Sequence, residues 1–210
     1  MRENNTLERF IKAQEMDYPT ALAEIQKGRK KSCWMWYIFP QIQGLGSSGT
    51  AMYYAIEDYK EAKAYMENPV TSAHLREISE ALLQIESDDA TQVMGWPDDM
   101  KLRSSMTLFS LAKKENGIFR KVMDKFFGGR PDAQTVDILS MGHLVTRIDD
   151  PDFGCEGRPD GEEAMAKVYL TELKTEEEIQ IEIPDAELYR KEINEGDEVA
   201  LSPDGVILKL

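Results

Sequence analysis

The ten residues SCWMWYIFPQ, Ser32 to Gln41, place Trp34, Trp36 and Tyr37 ahead of Gln41 and directly after the basic run KGRKK. Aromatic faces stack on flat ligands and an amide reads polar edges, so this stretch could wall a binding site. Its apolar residues do not fit one face of a helix, because Trp34, Trp36 and Ile38 alternate with Met35, Tyr37 and Phe39. Either it is core on all sides, closed by Pro40, or one side faces a ligand. The following QGLGSSG could be a flap over it, or a mobile connection. Its Gly44, together with Gly46 and Gly49, resembles a phosphate loop, since glycine lets backbone N–H groups approach an anion. The spacing is not GxGxxG, however, and the lysine of GxxxxGK[ST] is missing. A third block, PDDMKLRSSMTLFSLA, supplies Lys101, Arg103 and Ser105. On a helix Asp98, Lys101 and Ser105 share one face, as do Asp99 and Arg103. These residues could hold an anionic ligand; ion pairing along the surface and hydrogen bonding between helices are the competing uses.

Covalent chemistry has less support. Cys33 could act as a nucleophile with its pKa lowered by KGRKK, but no base accompanies it in the sequence. The two cysteines, Cys33 and Cys155, are far apart and show no CxxC or Cys/His spacing. His74 and His143 lack companions at metal spacing, and HExxH and GxSxG are absent. No metal and no cofactor is expected, and whether any reaction is catalysed stays open.

The elements that must position these residues are mostly helices. Leu7, Phe10, Ile11 and Gln14 recur at helical spacing, and Asp17 with Pro19 predicts the start of a second helix that Gly28 ends. Asn68-Pro69 leads into Leu75, Ile78, Leu82 and Ile85, an amphipathic helix with a start signal. Pro97 predicts another, with Leu102, Met106 and Phe109 on its buried face and Asn116-Gly117 as its stop. Phe119, Val122, Met123 and Phe126 precede Gly128-Gly129, and Val136, Ile138, Leu139 and Met141 predict one more helix before Gly142. The period does not switch to two before about residue 160.

Residues 149–163 are acidic and rich in Gly and Pro, the composition of an exposed linker. Beyond them AKVYLTEL, EEIQIEIP and DEVALSPDGVILKL alternate apolar and polar residues, with Ser202-Pro203-Asp204-Gly205 as a turn. The expected class is therefore α+β: an all-helical domain over 1–148, the linker 149–163 and a small antiparallel β domain over 164–210. A β unit of that size should dock on the helices or pair with a second copy, making a homodimer through the tail.

The net charge of −14 is unevenly spread. Residues 149–210 carry 19 of the 39 acidic and 6 of the 25 basic side chains, a net of −13 that leaves −1 for the rest. Such a tail repels nucleic acid and anionic lipid. The start MRENNTLERFIKAQ has no signal-like apolar region, and no apolar run reaches membrane-spanning length. Neither a nucleic-acid nor a membrane partner is expected, and the cytoplasm is the expected location.

The blocks LERFIKAQ, ALAEIQKGRKKSCWMWYIFPQIQGLG, ENPVTSAHLREISEALL, DDMKLRSSMTLF and IFRKVMDKFFGGRPDAQTVDIL resemble the bacterial domain of unknown function 1810 family over about residues 5–142. That resemblance implies an all-α fold for this part and no established activity. In the family motif S-H-W-M-W-x-x-F-P-Q, Cys33 stands where histidine is usual, while Trp34, Met35, Trp36, Phe39, Pro40 and Gln41 match. Lys101, Leu102, Ser104, Ser105 and Met106 match in the second block. The tail distantly resembles the half-barrel units that follow transporter ATPase domains and bind small oxyanions as dimers.

Two functional readings follow. In the first, the helical domain binds a small anionic or nucleotide-like metabolite between SCWMWYIFPQ and the KLRSS helix, through Trp34, Trp36, Tyr37, Gln41, Gly44, Lys101, Arg103 and Ser105. In the second, the chain is a non-catalytic interaction or regulatory module whose acidic β tail recruits a partner.

Overall fold

The computed structural model describes residues 7–112, 117–139, 142–150, 163–173 and 175–210. Backbone contacts divide the chain into two compact units, residues 1–139 and 140–210. The first is helical, with α1 (Glu8–Gln26), α2 (Met35–Ile38), α3 (Gly49–Tyr53), α4 (Tyr59–Glu67), α5 (Pro69–Gln84), α6 (Ala90–Met94), α7 (Asp98–Ala112), α8 (Gly117–Phe127) and α9 (Ala133–Leu139).

The two helices expected before Gly28 are one. α1 runs through Pro19, and Asp17 caps nothing; its carboxylate accepts the Tyr37 hydroxyl at 2.5 Å. The reason is tertiary. Phe10, Gln14, Tyr18, Ala21 and Ile25 form one buried stripe across the proline, whereas Pro19 itself is exposed. The hydrogen bond that proline cannot make is thus lost on the solvent side, where water can replace it. Elsewhere the signals hold. Asn68 accepts the N–H groups of Val70 and Thr71 with Pro69 as first helical residue, and Asp58 and Asp89 cap α4 and α6 in the same way.

α7 is the central helix, packed against α4, α6, α8 and α9. Leu102 and every residue from Ser104 to Ala112 are buried. Two of its hydroxyls are satisfied within the helix, Ser104 donating to the Met100 carbonyl and Thr107 to that of Arg103. Phe10, Tyr65, Phe109 and Phe119 link α1, α4, α7 and α8 through ring contacts of 5.1, 5.0 and 6.2 Å. Asn116, half of the expected stop signal after this helix, lies outside the described residues.

The second unit is a five-stranded antiparallel sheet of order β3-β2-β1-β4-β5. Its strands are β1 (Gly142–Asp149), β2 (Met165–Glu172), β3 (Glu178–Pro184), β4 (Glu198–Leu201) and β5 (Ile207–Lys209), and α10 (Asp185–Arg190) follows β3. Ala166, Val168 and Leu170 point alternately into a core shared with Val145, Ile183, Leu188, Ile193, Val199 and Ile207. The Ser202–Gly205 turn closes as expected, with Gly205 at φ +77° and its N–H on the Ser202 carbonyl.

Residues 142–149 correct the sequence reading, which extends the helical domain to 148. They form a strand in the middle of the sheet, so this unit takes in residues before the acidic segment. Its period was masked by a register shift between Val145 and Arg147, which lets Val145 and Ile148, three apart, both contact the core. His143 consequently lies in a strand opposite Val199 and Glu172, not at a helix end. Of the expected linker, residues 151–162 lie outside the described residues.

Candidate functional site

The site begins with the turn after α1. Gly28, at φ +73°, reverses the chain, and the Lys30 N–H donates to the Val93 carbonyl at the end of α6. Glu24 then organises the loop. Its carboxylate accepts the backbone N–H of Lys31 at 2.7 Å and of Ser32 at 3.0 Å, the Ser32 hydroxyl at 2.5 Å and the Trp34 indole N–H at 2.8 Å. Burial by itself would raise this carboxyl; the four donors outweigh it and hold Glu24 down at about 2.

Two lysines meet next to this loop. Lys30 Nζ lies 2.7 Å from Asp98 Oδ2, and Lys101 Nζ lies 2.6 Å from Asp98 Oδ1. Lys30 also donates to the Ser32 carbonyl at 2.7 Å. Each ammonium stands over an indole, Lys30 at 5.0 Å from the Trp34 centroid and Lys101 at 4.8 Å from that of Trp36. Burial pushes the Asp98 carboxyl up, but the hydrogen bonds and charges of Lys101 and Lys30 hold it below its ordinary value. Two cations share one anion, so the triad carries one net positive charge. The Lys30 side chain is only 9% exposed and that of Lys101 21%.

Trp34, Trp36 and Lys101 are thereby brought together, so the first and third sequence blocks meet here. The two indoles differ. Trp34 is 1% exposed, with its N–H spent on Glu24, and is core; Trp36 is half-buried and keeps an accessible side.

The remaining candidates go elsewhere. Tyr37 is 8% exposed, with its hydroxyl on Asp17 and its carbonyl receiving Gln14 Nε2 at 2.7 Å; burial, then the Asp17 hydrogen bond and charge, raise its pKa. Arg103 does not pair with Asp99; it donates to the carbonyls of Arg130 at 3.0 Å and Pro131 at 2.8 Å. Asp99 accepts the Thr91 hydroxyl instead. Gln41 is half-buried, and its carbonyl receives the Ile56 N–H beside a parallel bridge between Ile42 and Ile56. Ser105, one helical turn beyond Lys101, is fully buried, and its hydroxyl has no hydrogen-bond partner among the described residues.

The glycine loop serves backbone geometry. Gly44 adopts φ +106° beside Ile138, and a Cβ on Gly46 would meet that of Ala51 at 2.6 Å. The Ala51 N–H that a phosphate would use is taken by the Ser48 hydroxyl. Cys33 is exposed, so this position of the loop faces solvent. A groove of 860 Å³ lies between the ends of α1 and α5 and the start of α6, bordered by Lys27, Gln84, Ser87 and Asp89; it includes none of the eight candidate residues.

Sequence reasoning missed Glu24 and Lys30 as individuals. Glu24 is an unremarkable position on an amphipathic helix, and only the fold of the next eight residues makes it a hub. It also missed the buried amide of Gln14, which bonds Tyr65 Oη at 2.8 Å and His74 Nδ1 at 2.9 Å while His74 stacks on Tyr18 at 3.7 Å. Burial keeps His74 below its ordinary pKa, against the opposing charge of Glu77. Among the described residues no cluster of three or more His, Cys, Asp or Glu could hold a metal, and no helix is long and apolar enough to cross a membrane.

Fold and site together define an α+β protein in which a helical unit with a cationic, indole-lined cluster precedes a small antiparallel sheet. The chain belongs to the family described as Protein of unknown function (DUF1810), whose model matches residues 4–139. Among solved structures it is similar to the conserved hypothetical protein Rv1873 from Mycobacterium tuberculosis, at 40% identity and a TM-score of 0.62, over 63% of this chain and 95% of that one. No curated protein matches it.

Proposed function

We propose that the helical unit binds a small anionic, ring-bearing metabolite at Lys101 and Trp36. The observation that carries this reading is the shared carboxylate: Lys30 and Lys101 both depend on Asp98, leaving one surplus positive charge in a site only partly open to water. A surplus charge in such a place favours an incoming anion more than an exposed lysine would. The accessible side of Trp36 offers a stacking face, as a nucleotide or another aromatic phosphate requires. Trp34, Glu24 and Ser32 act behind it, holding the loop that carries Lys30.

Thermal-shift and calorimetric titration of the full chain against nucleotides, sugar phosphates and inorganic phosphate tests this, with Lys101→Met and Trp36→Leu as controls. A ligand at 100 times its Kd stabilises by about 2.7 kcal/mol. Lys101→Met should abolish the shift, and Trp36→Leu should remove the preference for ring-bearing ligands over phosphate. A full panel without any shift ends the metabolite reading.

A further inference from the structure

The end of β1, α10 and the turn that follows it enclose a groove of 720 Å³. Its floor is apolar, made of Leu188 and Ile193, each 4% exposed, and of Ile148, which packs on the same core. Its rim is acidic, with Asp150, Asp185, Glu192 and Glu195, and Tyr189 stands beside it at 78% exposure. Glu195 accepts the Ile148 N–H at 2.8 Å. Among the described residues the carboxylates of Asp150, Asp185 and Glu192 have no cationic partner. Lys209 also borders the groove, but its ammonium is committed to Asp197 at 2.6 Å and to the Glu192 carbonyl at 2.7 Å.

An apolar floor inside a ring of carboxylates selects a particular chemistry. A lysine or arginine side chain places its methylenes on such a floor and its charge at the rim, and Tyr189 adds a ring face for the cation. We propose that this groove docks a basic segment of a partner protein, one in which lysine or arginine flanks an apolar residue. Charge argues against a second copy of the same unit. Residues 140–210 contain 19 acidic and 7 basic side chains, a net of −12, and two such surfaces repel each other. The proposal stands apart from the metabolite site, since it uses residues of the other compact unit.

The test is fluorescence anisotropy of the full chain with three labelled synthetic peptides: one alternating lysine with leucine, one with each leucine replaced by serine, and one with each lysine replaced by glutamate. The first should bind saturably and weaken with salt, the second should bind at least about tenfold more weakly, and the third should not bind. Asp150→Asn combined with Glu192→Gln alters two exposed side chains and should weaken the first peptide about tenfold. Tyr189→Ser, at an exposed position, should weaken it several-fold and serves as an independent second variant. Equal binding of the serine peptide, or unchanged affinity in both variants, overturns the groove in favour of diffuse charge attraction. Self-association of the full chain in sedimentation, abolished by the double variant, would assign the groove to a second copy and overturn the proposal equally.

Discussion

Lys30 and Lys101, from the loop after α1 and the first turn of α7, grip the two oxygens of the same carboxylate, that of Asp98, at 2.7 and 2.6 Å. The contact ties the SCWMW loop to the central helix and makes Asp98 the residue on which both ammonium groups depend.

Asp98→Asn leaves two partly buried cations without their anion. Breaking a fully buried pair costs about 3–5 kcal/mol; with these side chains 9–21% exposed, we expect about 1–3 kcal/mol in urea unfolding. The same variant should bind phosphate-bearing ligands more tightly, because the internal competitor is gone. Loss of both stability and ligand binding would mean that Asp98 only holds the loop in place.

Glu24 confers a pH dependence of definite sign. Its carboxyl is held at about 2 in the fold against an ordinary 4.5. Between these values the unfolded chain binds the proton and the folded chain does not, so stability rises with pH. The contribution is complete above 4.5 and disappears as pH falls toward 2. Glu24→Gln should lower stability at neutral pH and flatten the acid limb of the stability curve in that window. An unchanged acid limb would show that the four donors do not act on this carboxylate in solution.

Ser105→Ala deletes a buried hydroxyl that has no partner among the described residues. An unsatisfied buried polar group costs about 1–3 kcal/mol, so this substitution should be neutral or stabilising by about 1 kcal/mol. Ser104→Ala, which removes a bond to the Met100 carbonyl, is the control and should not stabilise. Destabilisation by Ser105→Ala would point to a bound water or ligand atom on that hydroxyl.

The two indoles should separate in their effects. Trp34→Ala empties a core position and should cost about 3–5 kcal/mol. Trp36→Ala removes a half-buried ring and should cost about half as much, while removing the preference for ring-bearing ligands over phosphate. Equal losses of stability would place Trp36 in the core with Trp34 and leave the site without its stacking face.

Much of this architecture was already legible along the chain, where the information is local. Asn68-Pro69, the stripe Leu75, Ile78 and Leu82, and the Ser202–Gly205 turn each act within a few residues, and each appears as expected. The Pro19 signal, though equally local, was overridden because the buried stripe of α1 continues past it.

By itself, then, the sequence determined the helix and hairpin signals, the concentration of acid in the second unit and the residue types available for an anion site. Only the tertiary structure decided that Arg103 binds carbonyls, that Tyr37 bonds Asp17, that Glu24 holds the loop and that 142–149 is a central strand. The physical reason is that hydrogen-bond partners and burial are set by which distant segments meet. A side chain's spacing shows the face it occupies, whereas the carboxylate or carbonyl it reaches comes from another element.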